Sequence, residues 1–209
     1  MVILIAAAIS VVVNYLCLKL LQYYKFRQTV RVEGPQSHYA KSGTPTMGGL
    51  GILVAINLLT LSFVRPLTNE VIILLVTTTL TGIIGFIDDF MIIKQGKNNG
   101  LKPRYKLLGQ FAIAVVFCTY LLSNGFNLKV SPFLHLIGMQ NAFLYVLLSS
   151  FIIIGTSNAV NLTDGLDGLA GGVSAIVFVA FAFIANQFNN PPLMLAAIFA
   201  SLACVGFLV

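Results

Sequence analysis

Apolar residues come in seven long runs along the chain, at Val2–Leu21, Met47–Val64, Val71–Ile87, Leu107–Leu122, Ala142–Val160, Leu169–Ile184 and Pro192–Val209. A membrane-spanning helix needs about 20 mostly apolar residues, and these runs are close to that length. The polar stretches between them are rich in Gly, Pro, Asn, Lys and Arg, as connecting segments are. The pattern predicts an all-α polytopic membrane protein with about seven transmembrane helices in one domain spanning residues 1–209. The first run has no basic leader and exceeds the roughly 7–15 apolar residues of a secretory signal, so it is expected to stay as a membrane helix.

Composition supports this and excludes a soluble domain: 58% of residues are hydrophobic, 9% are charged and there is no Trp, with a mean hydropathy of +0.95. Cys17, Cys118 and Cys204 all fall inside apolar runs. There a thiol behaves as a small buried hydrophobe, and no disulfide framework or metal-site spacing follows. The net charge of +6 is read as a topology signal first and as attraction to anionic headgroups and phosphates second. Nucleic acid is not an expected partner.

Basic residues in short loops favour the cytoplasmic side. With the N-terminus outside, ten cations (Lys19, Lys25, Arg27, Arg31, Lys41, Lys94, Lys97, Lys102, Arg104 and Lys106) fall inside, against two, Arg65 and Lys129, outside. The same orientation puts Asp88-Asp89 and the pair Asp164 and Asp167 on the cytoplasmic face, at the ends of apolar runs. A carboxylate at the bilayer centre costs about 2.5–3.5 kcal/mol, so acids kept next to hydrocarbon mark function.

Three polar segments on that face carry candidate chemistry. The first inner loop closes with Gly43-Thr44-Pro45-Thr46-Met47-Gly48-Gly49, where Thr44 and Pro45 read as N-cap and first residue of the second helix. The second, 94–106, holds five cations that serve as topology determinants, an anion site, or both. The third, from Ser157 to Gly172, has two carboxylates and no cation, which calls for a positive partner from elsewhere. Acids at the C-terminal end of the third helix would oppose its dipole and need a compensating cation. Mg²⁺ fits, because it binds through one or two carboxylates while keeping waters and phosphate oxygens. Asp88 and Asp89 point about 100° apart on a helix and would take different roles, whereas Asn161, Asp164 and Asp167 would align at i,i+3 if helical. The starts of the second and sixth helices offer free N–H groups suited to phosphate. The blander reading makes Asp164–Gly168 a capped turn or a degenerate calcium-type loop.

Gly43–Gly49, Phe86-Ile87-Asp88-Asp89-Phe90 and the string from Asn158 to Ala170 resemble the polyprenyl-phosphate N-acetylhexosamine-1-phosphate transferases, and within them the phospho-N-acetylmuramoyl-pentapeptide transferase branch. The resemblance implies transfer of phospho-N-acetylmuramoyl-pentapeptide from its UDP carrier to undecaprenyl phosphate, giving lipid I and UMP with Mg²⁺ at the cytoplasmic side of the bacterial plasma membrane. It implies Asp88, Asp89 and Asp164 as catalytic residues, with Asp88 as general base or, in another scheme, nucleophile. Lys41, Thr46, Asn161, Gly165, Leu166 and Asp167 would bind substrate, and Asp89 and Asp164 would hold the metal. A homodimer is one assembly open to such a protein. The family pattern continues beyond Val209 with further spans, another magnesium-binding aspartate and a histidine-bearing loop for which His38 and His135 do not substitute. The expectation is therefore a chain incomplete on its C-terminal side and inactive alone. Two other readings stand beside it: a UDP-N-acetylglucosamine-dependent transferase, which a donor competition assay separates, and a cation transporter, whose acids belong near the bilayer midplane.

Overall fold

The computed structural model describes residues 1–24, 47–95, 100–125 and 141–209. The first inner loop and the outer loop at 126–140 lie outside the described residues, and so do Lys41 and Thr46. Every described element is a helix: α1 (Val2–Tyr23), α2 (Gly49–Phe63), α3 (Asn69–Gln95), α4 (Pro103–Ser123), α5 (Ala142–Thr163), α6 (Leu169–Gln187) and α7 (Pro191–Leu208). Six are long and apolar enough to cross a membrane, and α2, at 15 residues, is shorter. At about 1.5 Å per residue α2 extends roughly 22 Å, less than the roughly 30 Å of hydrocarbon. The start expected at Thr44-Pro45 lies outside the described residues, and within them α2 begins at Gly49. Met47 has φ +68°, which breaks helical continuity for an L-residue, so Gly48 becomes the N-cap.

Local sequence explains the other ends. Pro103 and Pro191 occupy the first turns of α4 and α7, where a missing N–H costs nothing. The Asn190 side chain caps α7 by accepting from the Leu193 amide at 3.1 Å. Asn189, at φ +49°, lets the chain reverse between α6 and α7, since Asn tolerates the left-handed region.

Backbone contacts divide the chain into two compact units, one formed by 1–100 with 163–209 and the other by 101–162. In the first, α7 is the axis, packing against α6, α1, α2 and α3. Ala6, Leu59, Val64 and Phe199 form a fully buried cluster with Ile9, Phe63, Leu195 and Leu202 around it. Lipid is as apolar as Leu, so helices here are held by close packing and interhelical hydrogen bonds rather than by escape from water.

Both devices appear where α1 meets α2 and α7. The Ser10 hydroxyl donates to the Leu202 carbonyl at 2.7 Å. Asn14, 1% exposed, donates from Nδ2 to the Ala203 carbonyl at 3.1 Å and to the Ser10 carbonyl at 2.9 Å. A Cβ on Gly51 would lie 2.6 Å from Asn14 Oδ1, and one on Gly206 would overlap Ser10 Oγ and sit 2.8–2.9 Å from the α1 backbone. Only hydrogen side chains permit these approaches.

These pairings set the helix directions. The later part of α1 and the end of α7 both lie at the start of α2, where a Cβ on Gly51 would meet Asn14 and Cys17 and one on Gly48 would meet Phe207, so α1 and α7 run parallel. Residues run in opposite senses between α2 and α3, where Asn57 donates to Thr79 at 3.1 Å and a Gly82 Cβ would meet Leu53. The same holds for α6 and α7, where Ser201 donates to the Ala175 carbonyl at 2.9 Å and Leu208 packs over Gly168. The C-terminal ends of α1, α3 and α7 and the N-terminal ends of α2 and α6 therefore share one face of this unit.

In the second unit, α4 and α5 form a pair tied by polar side chains near the start of α4. Gly206→Ala is expected to destabilise the protein by about 1–3 kcal/mol through overpacking against α1, read as a lower thermal midpoint of the detergent-purified protein.

Candidate functional site

Asp88 and Asp89 sit within α3 rather than at its end, because the apolar, helix-compatible Phe90-Met91-Ile92-Ile93 carries the helix on to Gln95. Gln95 lies six positions beyond Asp89, about 9 Å at helical rise. The dipole penalty is confined to the last turn, where Lys94 supplies a cation. The expectation that the helix end forces a compensating charge onto the pair is thus corrected.

Both carboxylates are half-buried. The Phe86 and Phe90 rings stack at 6.0 Å on the exposed side of α3. At 100° per residue, Asp88 points away from that aromatic stripe and Asp89 to its flank. The backbone of Gly100, where the described chain resumes, lies directly against the Asp88 carboxylate.

The second acidic pair lies in a turn. Helix α5 runs through Thr163, so Asn158 and Asn161 belong to a helix rather than to the loop expected from Ser157 onward. Asn161 is exposed in the last turn. Residues 164–168 then form successive turns, with the Gly165 amide donating to the Thr163 carbonyl at 2.7 Å and the Leu169 amide to the Leu166 carbonyl at 3.2 Å. Gly168, at φ +80°, caps α6, a conformation that favours glycine. Asp164 and Asp167 therefore do not stack one helical turn apart, which corrects the conditional i,i+3 alignment. Asp164, Leu166 and Asp167 are exposed, and Gly165 is half-buried.

The structure does bring both pairs to one end of the first unit. Phe207, near the end of α7, marks the level: a Cβ on Gly48 would lie 2.7 Å from its ring and one on Gly171 3.5 Å from it. The start of α2 and the turn holding Asp164 and Asp167 are thus level with each other. Asp88 is nine residues beyond Thr79, and Gly49 is eight residues before the Asn57 that pairs with it. Their heights differ by about 1.5 Å. Among the described residues no three His, Cys, Asp or Glu side chains converge as a metal-binding group.

Gln110 was not singled out from the sequence. It is 6% exposed, accepts from Asn158 Nδ2 at 2.9 Å and donates to Ser157 Oγ at 3.4 Å. Asn158 also donates to the Ile154 carbonyl at 2.9 Å. The network pins the last turns of α5, which lead into Asn161 and Asp164, onto α4. The available signal was a lone amide near the polar end of an apolar run, a residue type that needs a partner in lipid.

A helical membrane protein presenting two acidic pairs and a glycine-rich helix start at one face of its main unit is built for polar chemistry at a bilayer surface. The chain belongs to glycosyl transferase family 4, whose model matches residues 71–209, α3 onward. The phospho-N-acetylmuramoyl-pentapeptide-transferase signature 1 matches 41–53, the approach to α2 and its first turns. The chain is 42% identical over 214 residues to the phospho-N-acetylmuramoyl-pentapeptide-transferase of Geobacillus sp. (strain WCH70), covering 99% of this chain and 65% of that protein. The proteins of the same name from Staphylococcus aureus (strain bovine RF122 / ET3-1) and Shouchella clausii (strain KSM-K16) are 41% and 40% identical, covering 98% and 100% of this chain. The chain spans 65% of the length of each of these relatives.

Gln110→Leu and Asn158→Leu are expected to couple by about 0.6–1.7 kcal/mol, the range of interhelical hydrogen bonds in membranes. Unfolding of both single variants and the double variant in detergent measures this. Strict additivity would contradict it.

Proposed function

We propose that the protein transfers phospho-N-acetylmuramoyl-pentapeptide from its UDP carrier to undecaprenyl phosphate, producing lipid I and UMP at the cytoplasmic face of the bacterial plasma membrane. The observation that supports it most is the common level of Asp88-Asp89, the Asp164–Asp167 turn and the start of α2, at one end of helices that cross the bilayer. A long lipid substrate presents its phosphate there, and a water-soluble nucleotide reaches the same plane from the aqueous side. The relatives' name and the signature at 41–53 favour this donor over UDP-N-acetylglucosamine.

In this reading Asp88 takes the proton from the phosphate hydroxyl of the lipid. The freed oxygen forms a bond to the sugar-linked phosphorus, the bond between that phosphorus and the bridging oxygen breaks, and UMP leaves with the oxygen. Transfer of this kind depends on positioning and charge stabilisation more than on covalent help from the protein. Asp88 suits the base: it is half-buried, turned from the aromatic face, and held by the chain at Gly100.

Asp89 and Asp164 would hold Mg²⁺, which when bound neutralises charge between two anionic reactants. The donor chemistry fits, because the acidic groups on this face are carboxylates and the thiols lie within the apolar helices. Few protein ligands also fit an ion that keeps waters and takes phosphate oxygens. Lys41, Thr46, Asn161, Gly165, Leu166 and Asp167 are assigned to the nucleotide and sugar. The exposed position of Asn161, Leu166 and Asp167 leaves them open to a soluble substrate.

Asp88→Asn, made in the gene that encodes this sequence and assayed in membranes, is expected to lower magnesium-dependent UMP release about 10²–10⁴-fold, the usual worth of a general base. Retained release would overturn the role of Asp88. Cation flux through the protein without UMP release would overturn the transferase reading.

A further inference from the structure

We infer that Gly100 is a positioning residue for the reaction, fixing the side-chain rotamer of Asp88 by the close approach of its own backbone. The inference rests on the role given to Asp88 above. A Cβ built on Gly100 would overlap Asp88 Oδ1 and would stand 3.2 Å from both the carboxylate carbon and the Asp88 carbonyl oxygen. Real Cβ atoms essentially never come so close to a neighbour, so a side chain at residue 100 would push the Asp88 carboxylate out of this rotamer.

The contact is not a requirement of backbone angle. Gly125 and Gly168 are the glycines with positive φ among the described residues, and Gly100 is not one of them, so the need for glycine here is one of space. The obstructing group is also specific. At Gly48, Gly82 and Gly171 the neighbours are apolar side chains of Phe207, Leu53 and Leu208, the ordinary business of helix packing. At Gly100 the neighbours are the carboxylate and the backbone carbonyl oxygen of one half-buried aspartate on α3.

A carboxylate on an open helix face samples several staggered rotamers. With no side chain at residue 100, the carboxylate stands in the rotamer that brings Oδ1 against that backbone, and its proton-accepting oxygens take a fixed bearing. A base misplaced by about 1 Å costs about 10²-fold in rate. An added methyl therefore disturbs the chemical step while leaving the groups that bind the nucleotide, on other parts of the chain, in place.

The test uses Gly100→Ala, Asp88→Ala and the double variant in the protein expressed from its gene, with UMP release and thermal unfolding as readouts. For Gly100→Ala the expected result is a fall in kcat of at least about tenfold with KM for the UDP-linked donor within about twofold of wild type. Its loss of thermal midpoint is expected to shrink or vanish when Asp88 is also Ala, because the carboxylate it strikes is gone. If Gly100→Ala fails to accumulate, recovery of the folded protein on adding Asp88→Ala carries the same meaning. A wild-type kcat in Gly100→Ala, a raised KM with unchanged kcat, or an unfolding defect indifferent to Asp88→Ala would each overturn the inference. Full activity in Asp88→Ala would instead sink the reading of Asp88 itself, a result distinguishable from the failure of Gly100 alone.

Discussion

The close approach of α1 to α2 and α7 is the constraint on which the main unit depends. In hydrocarbon, two helices gain nothing by hiding Leu from its surroundings, and specificity has to come from fit and from polar bonds. Ser10, Asn14, Gly51 and Gly206 supply both within about two turns of helix: two interhelical hydrogen bonds to carbonyls of α7, and two positions where a Cβ has no room. The register this imposes on α7 carries through Phe207 and Leu208 to the starts of α2 and α6. The Asn57–Thr79 bond extends it from α2 to α3. A slide of one helix by a turn, about 5.4 Å, would put the acidic pairs at different depths.

That register makes the arrangement of charge tolerable. All four aspartates lie toward one end of apolar helices, where water and headgroups are within reach, and their surroundings differ. Asp88 and Asp89 are half-buried on a continuing helix, and Asp164 and Asp167 are exposed on a turn. Groups of one chemical type in different settings can take different tasks.

Much of this was legible in the sequence, because a bilayer imposes a length on apolar runs and a sign on the loops between them. The seven runs predict the seven helices of the described residues, and counting crossings from any one loop places both acidic pairs on a common side. Helix ends were harder to read. Asp88-Asp89 looked like a stop, yet Met91-Ile92-Ile93 sustains α3 to Gln95; Asn158 and Asn161 looked like loop and are helical. In both cases polar residues close a span without ending its hydrogen-bond ladder. The turn at 164–168 obeys Gly165 and Gly168, whose conformational freedom outweighs i,i+3 spacing. Partnerships were least visible: Asn14, Gln110 and Gly100 owe their roles to residues 189, 48 and 12 positions away, and a single sequence carries no trace of such pairings. Lys41 and Thr46 fall outside the described residues and within the signature matched at 41–53.

The claim that α3 and the turn before α6 meet the same aqueous compartment is open to direct measurement. Single cysteines in place of Lys94 and Leu166, both exposed, can be challenged with a membrane-impermeant thiol reagent in sealed vesicles of known orientation, with the native Cys17, Cys118 and Cys204 background as baseline. The account predicts that both variants react from the same side and are protected from the other. Reaction of Lys94→Cys and Leu166→Cys from opposite sides would contradict it.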